Sequence, residues 1–501
     1  QAYGKYNVYP GEAFETALIP FFDGAFHLDS ATESASAVMP SYSIAWSEDE
    51  EYGELVGSNF SEFKINLLRE NGFDGIISTD SLILPDNVAN VPTVSVHGMD
   101  GKSSQEVIYQ ILVIGVDRIL MPDFGEDPSY LEQIFAAYDM MVAEFGEEAA
   151  EENYRGAATR ILREYMKTGV FENPYSEISQ AKALIEESGI RDAFNEVNQK
   201  GIVMLKNSGN TIQEKTDDAL PTVYIPVKAN GSLPVDLEIA SQYFNVVTDT
   251  VEKSESDSAS GEASGNASAG ANITRATPEE LADCEYALVF MSNPSTGNGY
   301  NSATGTYYPI SLQYEEYVAD GDNVRDESIS QGVIETTIDT PYGPTFSVAV
   351  DERSYHGEST VASNRSDLEL VLEVAENVPD SCKVVACVNA SNSMIFAEFE
   401  EAVDAILLGF GVNAANFLPL VAGAVEPSAL LPIQMAADMD TVEGQCEDVP
   451  RDMECYVDSD GNAYDFAFGL NWSGVIDDER VAAYRAEPLT SPETIEFHTA
   501  D

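Results

Sequence analysis

Asp80 is the residue of this 501-residue chain best placed to do chemistry. It closes the run Gly72-Phe73-Asp74-Gly75-Ile76-Ile77-Ser78-Thr79-Asp80, whose apolar centre reads as a short buried strand ending in a carboxylate. Barrel enzymes keep their reacting groups at the C-terminal rim of such strands. An Asp after a strand equally caps the next helix or closes a turn, so spacing alone leaves catalysis and capping about even. The four histidines (His27, His97, His356, His498) and the five cysteines show no ligand spacing, so neither a metal nor an organic cofactor is expected.

The elements that would position Asp80 are legible on either side. Upstream, the pattern predicts a helix from Asn59 to Asn71, with Phe60, Phe63, Leu67 and Leu68 on one face, Asn59 and Glu62 at capping-box spacing and Gly72 as a left-handed C-cap. Strands are expected near Ser36 to Met39, Gly75 to Thr79 and Val116 to Met121. Helices are expected at Ser103 to Gly115, Ser129 to Phe145 and Glu152 to Thr168. In the first of these helices Ser103 and Glu106 have capping-box spacing and Val107, Ile111 and Ile114 share a face. The acidic loop Pro122 to Pro128 would share the rim with Asp80.

Gly72 to Asp80 resembles the nucleophile motif of the glycoside hydrolase family 3 enzymes, the β-glucosidases and exo-glucanases. Ala37-Val38-Met39-Pro40-Ser41-Tyr42-Ser43 resembles the preceding strand of that family, which lines the site for the non-reducing sugar. Gly201 to Asn207, Pro427 to Gln434 and Tyr464 to Asn471 are similar to segments of the family's second domain, and Gly169 to Tyr175 to its barrel exit. The resemblance implies the C-terminal part of a (β/α)8 TIM-type barrel over 1–175, a helical connector over 176–210, an α/β sandwich with a mainly parallel sheet over 211–480 and a tail over 481–501. Tyr3 to Pro10 resembles a point inside such barrels, and about three strand-helix repeats precede residue 175 where closure needs eight. Another polypeptide segment or subunit is therefore expected to complete the barrel.

The resemblance implies a retaining exo-acting β-glycosidase, with a β-glucosidase first among its specificities, acting on a β-glucoside or β-glucan oligosaccharide. Such enzymes hold two carboxyl groups about 5 to 5.5 Å apart, one attacking the anomeric carbon and one protonating the departing oxygen. Asp80 takes the first role, Tyr42 donates a hydrogen bond to it and Met39 forms an apolar wall beneath the sugar. Ser81 stands where the family has Trp or a small residue, so a stacking platform is missing there. The family's acid/base is a Glu on a variable loop with no fixed motif. Glu358, in Arg353 to Ser359 beside His356, is the first choice, ahead of Glu315, Glu316 and Glu327. A non-catalytic carbohydrate-binding or interaction subunit is the rival, motivated by the missing barrel half.

Beyond residue 220, strands are expected at Thr222 to Ile225, Tyr286 to Met291, Lys383 to Asn389 and Ala405 to Gly409. Helices at Asp367 to Asn377 and Asn413 to Ala422 lie among them. The Ser/Gly/Ala/acid-rich stretch 252–272 belongs to neither core. Ser295 to Asn301 lacks the spacing of a phosphate loop. The connector carries Ala181, Leu184, Ile185, Phe194 and Val197.

Composition sets the outer limits. Asp and Glu number 87 against 24 Lys and Arg, a net charge of -63, which repels nucleic acid and anionic lipid. Such an excess suits concentrated salt, where screening removes self-repulsion, and an acidic chain at ordinary salt is about as well supported. No apolar run of membrane-spanning length and no signal-peptide pattern is present, and the compartment stays open between cytoplasmic and secreted. Five cysteines are too few and odd in number for a disulfide scaffold, so buried thiols are expected. A homo-oligomer stays an open option.

Overall fold

A parallel ladder built through helical crossovers organises the N-terminal part of the chain. The computed structural model describes residues 6–7, 9, 13–29, 32–47, 49–80, 97–99, 101–120, 129–216, 219–252, 272–301, 304, 306–326, 334–338, 346–350, 354–445 and 451–483. Contacts divide the chain into one unit built mainly from Gln1–Ala181 with Val333–Val350, and another built from Lys182–Gly332 with Asp351–Pro492.

In the first unit, strand Ala37–Val38 pairs in parallel with strand Ile76–Ile77, and Ser78 bridges in parallel to Arg118. Helix Glu62–Glu70 makes the first crossover and helix Ser104–Val113 the second. Strand Tyr6–Asn7 pairs in parallel with Ile44–Ala45. This is an arc of β/α repeats, and among the described residues it does not close into a barrel. The third expected strand is reduced to the single bridge at Arg118, with Met121 outside the described residues.

The helix before Asp80 starts later than its spacing suggests. Ser61, not Asn59, is the N-cap, accepting from Lys64 N. Asn59 is instead buried and its amide donates to Pro40 O at 2.9 Å and Ser41 O at 3.2 Å, a use of the side chain that only a tertiary neighbour provides. The later start turns Phe63 outward, so Phe60, Ile65 and Leu68 carry the packing. Gly72 adopts φ 84°, as a left-handed C-cap requires. Helix Ser104–Val113 has the expected capping box, and Val107, Ile111 and Ile114 are buried. Helix Ser129–Phe145 has the expected bounds, and the following helix, Glu147–Lys167, begins five residues early because Gly146 breaks the chain before it.

The second unit holds an eight-stranded sheet. Its order is Gly474–Val475, Leu470–Asn471, Val203–Asn207, Ala405–Phe410, Lys383–Ala390, Tyr286–Ser292, Thr222–Ile225, Asn245–Thr248. The last five strands are mutually parallel, and the first three join antiparallel at one edge. The sheet is thus mixed, with the parallel part where the apolar runs are densest. Alternate residues of each central strand enter separate clusters. Val289, Val388 and Leu408 lie in one, and Leu288, Cys387 and Leu407 in the other, so both faces are covered. Helix Ser366–Asn377 forms as expected. The segment from Asn413 splits into a 3-10 turn, Ala414–Phe417, and a short helix, Leu418–Val421, because Pro419 fits only in a first helical turn.

The connector forms helices Ile178–Glu187 and Ile190–Lys200, with Leu184, Ile185, Phe194 and Val197 exposed. Strands Thr250–Glu252 and Asn272–Thr274 pair antiparallel around the acidic stretch, of which 253–271 lie outside the described residues. Among the described residues no helix is long and apolar enough to cross a membrane.

Candidate active site

The backbone that leads to Asp80 is pinned from both sides. Ser78 N donates to Val38 O at 2.9 Å, Thr79 N donates to Arg118 O at 2.9 Å, and Leu120 N donates to the buried Thr79 hydroxyl at 2.9 Å. Below them the Asp117 carboxylate, almost fully buried, accepts Ile77 N at 2.8 Å and ion-pairs with Arg69 and Arg160 at 2.7 Å each. Arg69 also donates to Phe73 O and Gly75 O. Strand, crossover helix and helix Glu147–Lys167 are therefore tied to one carboxylate. Sequence reasoning missed Asp117, although a charged residue at the start of an apolar run was the available signal.

Asp80 is half-buried at the end of this support. Tyr42 is buried, and its backbone follows the Pro40 and Ser41 carbonyls that Asn59 holds. Burial, and after it the negative charge of Asp80, push the Tyr42 phenol well above its usual range. The phenol therefore keeps its proton next to the carboxylate. The residues that the resemblance singled out on successive strands, Tyr42 and Asp80, are brought into electrostatic contact. Met39 is exposed and borders an apolar cavity of about 270 Å³ shared with Phe14, Leu18, Phe21 and Lys64. Burial lowers the Lys64 amine to about 8, with Glu54 opposing. Ser81 and the loop Pro122 to Pro128 lie outside the described residues.

The carboxylates considered for proton transfer belong to the second unit. Glu358 is exposed in the turn before strand Ser359–Thr360, which pairs antiparallel with Tyr317–Val318. Its loop is anchored by Tyr355, whose hydroxyl donates to Glu443 at 3.0 Å, as does that of Tyr317. His356 is exposed and lies 3.4 Å from Asp326. Glu315 is engaged by Arg365 at 3.0 Å, and Glu316 accepts from the Ser359 hydroxyl. Glu327 lies outside the described residues. Glu398 was not singled out by sequence. Burial raises its carboxyl, but both oxygens accept backbone N–H groups, from Tyr314 and Glu315, which assigns it to holding that loop.

Among the described residues no group of three or more His, Cys, Asp or Glu could hold a metal ion. Cys284, Cys382 and Cys387 are buried free thiols, and Cys455 is partly buried. Burial pushes the Cys382 thiol up to about 12, which makes it unreactive. Loop Ser295 to Asn301 runs into a short hairpin, Tyr300–Asn301 with Thr306–Tyr307. Among the described residues no helix follows directly that could seat a phosphate.

No family model matches the chain. It is 22% identical over 458 residues to β-glucosidase C of Emericella nidulans, covering 90% of this chain and 56% of that protein. A probable β-glucosidase C of Aspergillus oryzae is 22% identical over 477 residues, 94% of this chain and 56% of that one. A periplasmic β-glucosidase/β-xylosidase of Dickeya chrysanthemi is 26% identical over 226 residues, 41% of this chain and 31% of the other. The chain thus spans little more than half the length of the fungal relatives. Among solved structures, a β-glucosidase involved in saponin metabolism from intestinal bacteria superposes with TM-score 0.50 at 14% identity, over 91% of this chain and 56% of that one, a likeness of fold. By sequence, the chain is similar to fungal β-glucosidases C over at least 90% of its length.

Proposed function

We propose that this chain carries the nucleophile half of a retaining, exo-acting β-glycosidase, with terminal β-D-glucosyl residues as its substrate. The observation that supports this reading best is the buried Tyr42 phenol in electrostatic contact with Asp80, at the end of a strand whose backbone is pinned from both sides. In this reading the Tyr42 phenol donates to Asp80 and aims it at the anomeric carbon. An Asp80 oxygen then forms the bond to the anomeric carbon while the bond to the departing oxygen breaks. A carboxylic acid, for which Glu358 is the candidate, gives its proton to that oxygen. The same group, now a carboxylate, takes a proton from water, which attacks the glycosyl ester and releases Asp80. Met39, Ser81 and His356 are the proposed sugar contacts.

The remaining barrel strands are proposed to come from a further polypeptide segment. The open arc and the exposed Leu131 and Phe135 on helix Ser129–Phe145 support this, since apolar side chains of barrel helices ordinarily pack against neighbouring repeats. A 2-deoxy-2-fluoro-glucosyl mechanism-based inhibitor tests the proposal. It should attach to Asp80, as mapped by peptide mass spectrometry, and Asp80→Ala should abolish both labelling and hydrolysis with folding preserved. Hydrolysis by Asp80→Ala near that of the parent rejects the assignment. For Glu358→Ala, rescue of hydrolysis by azide is expected, and full activity without azide removes Glu358 from the mechanism.

A further inference from the structure

The second unit carries a cavity of about 780 Å³ whose position is set by sheet topology. From strand Thr222–Ile225 the chain goes to Asn245–Thr248 on one side, then returns to place Tyr286–Ser292 and Lys383–Ala390 on the other. The order therefore reverses between Thr222–Ile225 and Tyr286–Ser292. In open α/β sheets the loops leaving the carboxyl ends of strands diverge at such a point and leave a crevice where ligands bind. The cavity lies there, lined by Lys228 and Asn230 after one strand, Ser292 to Gly297 after the next, and Ser391 and Asn392 after the third.

Its wall is built by side chains that lock backbone. Asn364 donates to Ser292 O at 3.2 Å and Asn293 O at 3.1 Å, and accepts from Ser295 N at 2.8 Å. Asp367 accepts from Ser292 N at 3.1 Å, and Asn293 accepts from Ser391 N at 3.0 Å. Such a wall is pre-formed, so a ligand need not order it. Eleven of its eighteen residues are Ser, Thr or Asn, which both donate and accept hydrogen bonds. Two are charged, Lys228 and Asp367, and they lie 3.5 Å apart, so the lining is neutral overall. Asp367 also occupies the first turn of helix Ser366–Asn377, where it would repel an incoming anion. A neutral crevice of this size, rich in hydroxyl and amide groups, with Ile310, Leu312 and Pro294 as apolar relief, matches a compact polyol.

We propose that this crevice binds a neutral saccharide of one or two rings. The assignment does not require Asp80 to be a nucleophile. It is tested on the full chain carrying Asp80→Ala, so that no sugar is consumed, by hydrogen-deuterium exchange with cellobiose, glucose or inorganic phosphate as probe. Cellobiose or glucose should slow exchange at least threefold in peptides covering 292–297 and 363–367. Asn392→Trp, which fills the mouth, should abolish that protection, and Lys228→Met should weaken the sugar's apparent affinity at least fivefold. Absence of sugar protection in the Asp80→Ala chain overturns the proposal, as does protection by phosphate alone or protection undiminished in folded Asn392→Trp. Should Asn392→Trp not fold, an unchanged affinity in Lys228→Met overturns it. Failure of Asp80 labelling in the parent chain, with the crevice protected, sinks the catalytic reading and leaves this one standing.

Discussion

Replacing Lys206 by Met should show how the antiparallel edge of the second unit is held to its parallel sheet. Lys206 lies in strand Val203–Asn207 with its ammonium 2.5 Å from a Glu400 oxygen and 2.9 Å from the Glu400 carbonyl. Both side chains are buried, at 4% and 0% exposure. Glu400 further accepts the hydroxyls of Tyr456 and Ser459 at 2.9 Å each, which draws a later loop onto the same pair. Burial pushes the Glu400 carboxyl up, but Lys206, Ser459 and Tyr456 together outweigh it and hold the carboxyl below its ordinary value.

Met conserves most of the volume and strands the carboxylate. Breaking a buried pair in this way costs about 3–5 kcal/mol, and the two remaining hydroxyl donors place the loss near about 3 kcal/mol. At about 2–4 °C per kcal/mol for a unit of this size, Tm should fall by about 6–12 °C. The pH dependence carries the sign. In the parent, the folded Glu400 value is depressed, so its contribution is present above the unfolded carboxyl value and lost as pH falls through the folded one. In the variant, the stranded carboxyl is raised, so stability falls as pH climbs above the unfolded value. The Tm gap should therefore widen from about pH 4 to about pH 7, and Lys206→Met/Glu400→Gln should recover part of it by removing the charge. Calorimetry across that range is the assay. A gap under about 1 kcal/mol at neutral pH, or one independent of pH, refutes the reasoning.

Other expected outcomes follow from single contacts. Asp117→Ala removes the acceptor for Ile77 N and both guanidinium partners, and should destabilise the first unit by about 3 kcal/mol in chemical denaturation while slowing inhibitor attachment at Asp80. Tyr42→Phe deletes the hydroxyl beside Asp80 and should lower kcat/KM about 10- to 100-fold, the value of one hydrogen bond to a charged group, with melting little changed. Gly423→Ala should destabilise by more than about 2 kcal/mol by thermal melting, because φ is 68° and the added carbon would stand 2.0 Å from Gln213 O.

The residues that the sequence determined on its own are those answering to local physics. Ser103 and Glu106 cap one helix whatever surrounds them, Gly72 takes the left-handed turn, and the runs at 286, 383 and 405 form buried parallel strands because no other element hides so many apolar side chains on both faces. The motif at Gly72 to Asp80 and that at Ala37 to Ser43 were also legible, as was their neighbourhood on successive strands.

Tertiary structure decided what local patterns leave open. Asn59 had the look of a cap until Pro40 and Ser41 offered it carbonyls, and Ser61 then took the cap. Asp117, Arg69 and Arg160 are separated along the chain and meet only when strand and helices stack. The crevice at Asn293 and Asn364 exists because strand order reverses, an event that no window of residues encodes. Caps and alternation depend on interactions within one or two turns, so sequence writes them directly. Buried polar partners and crevices depend on which distant segments share space, and only the packed chain settles that.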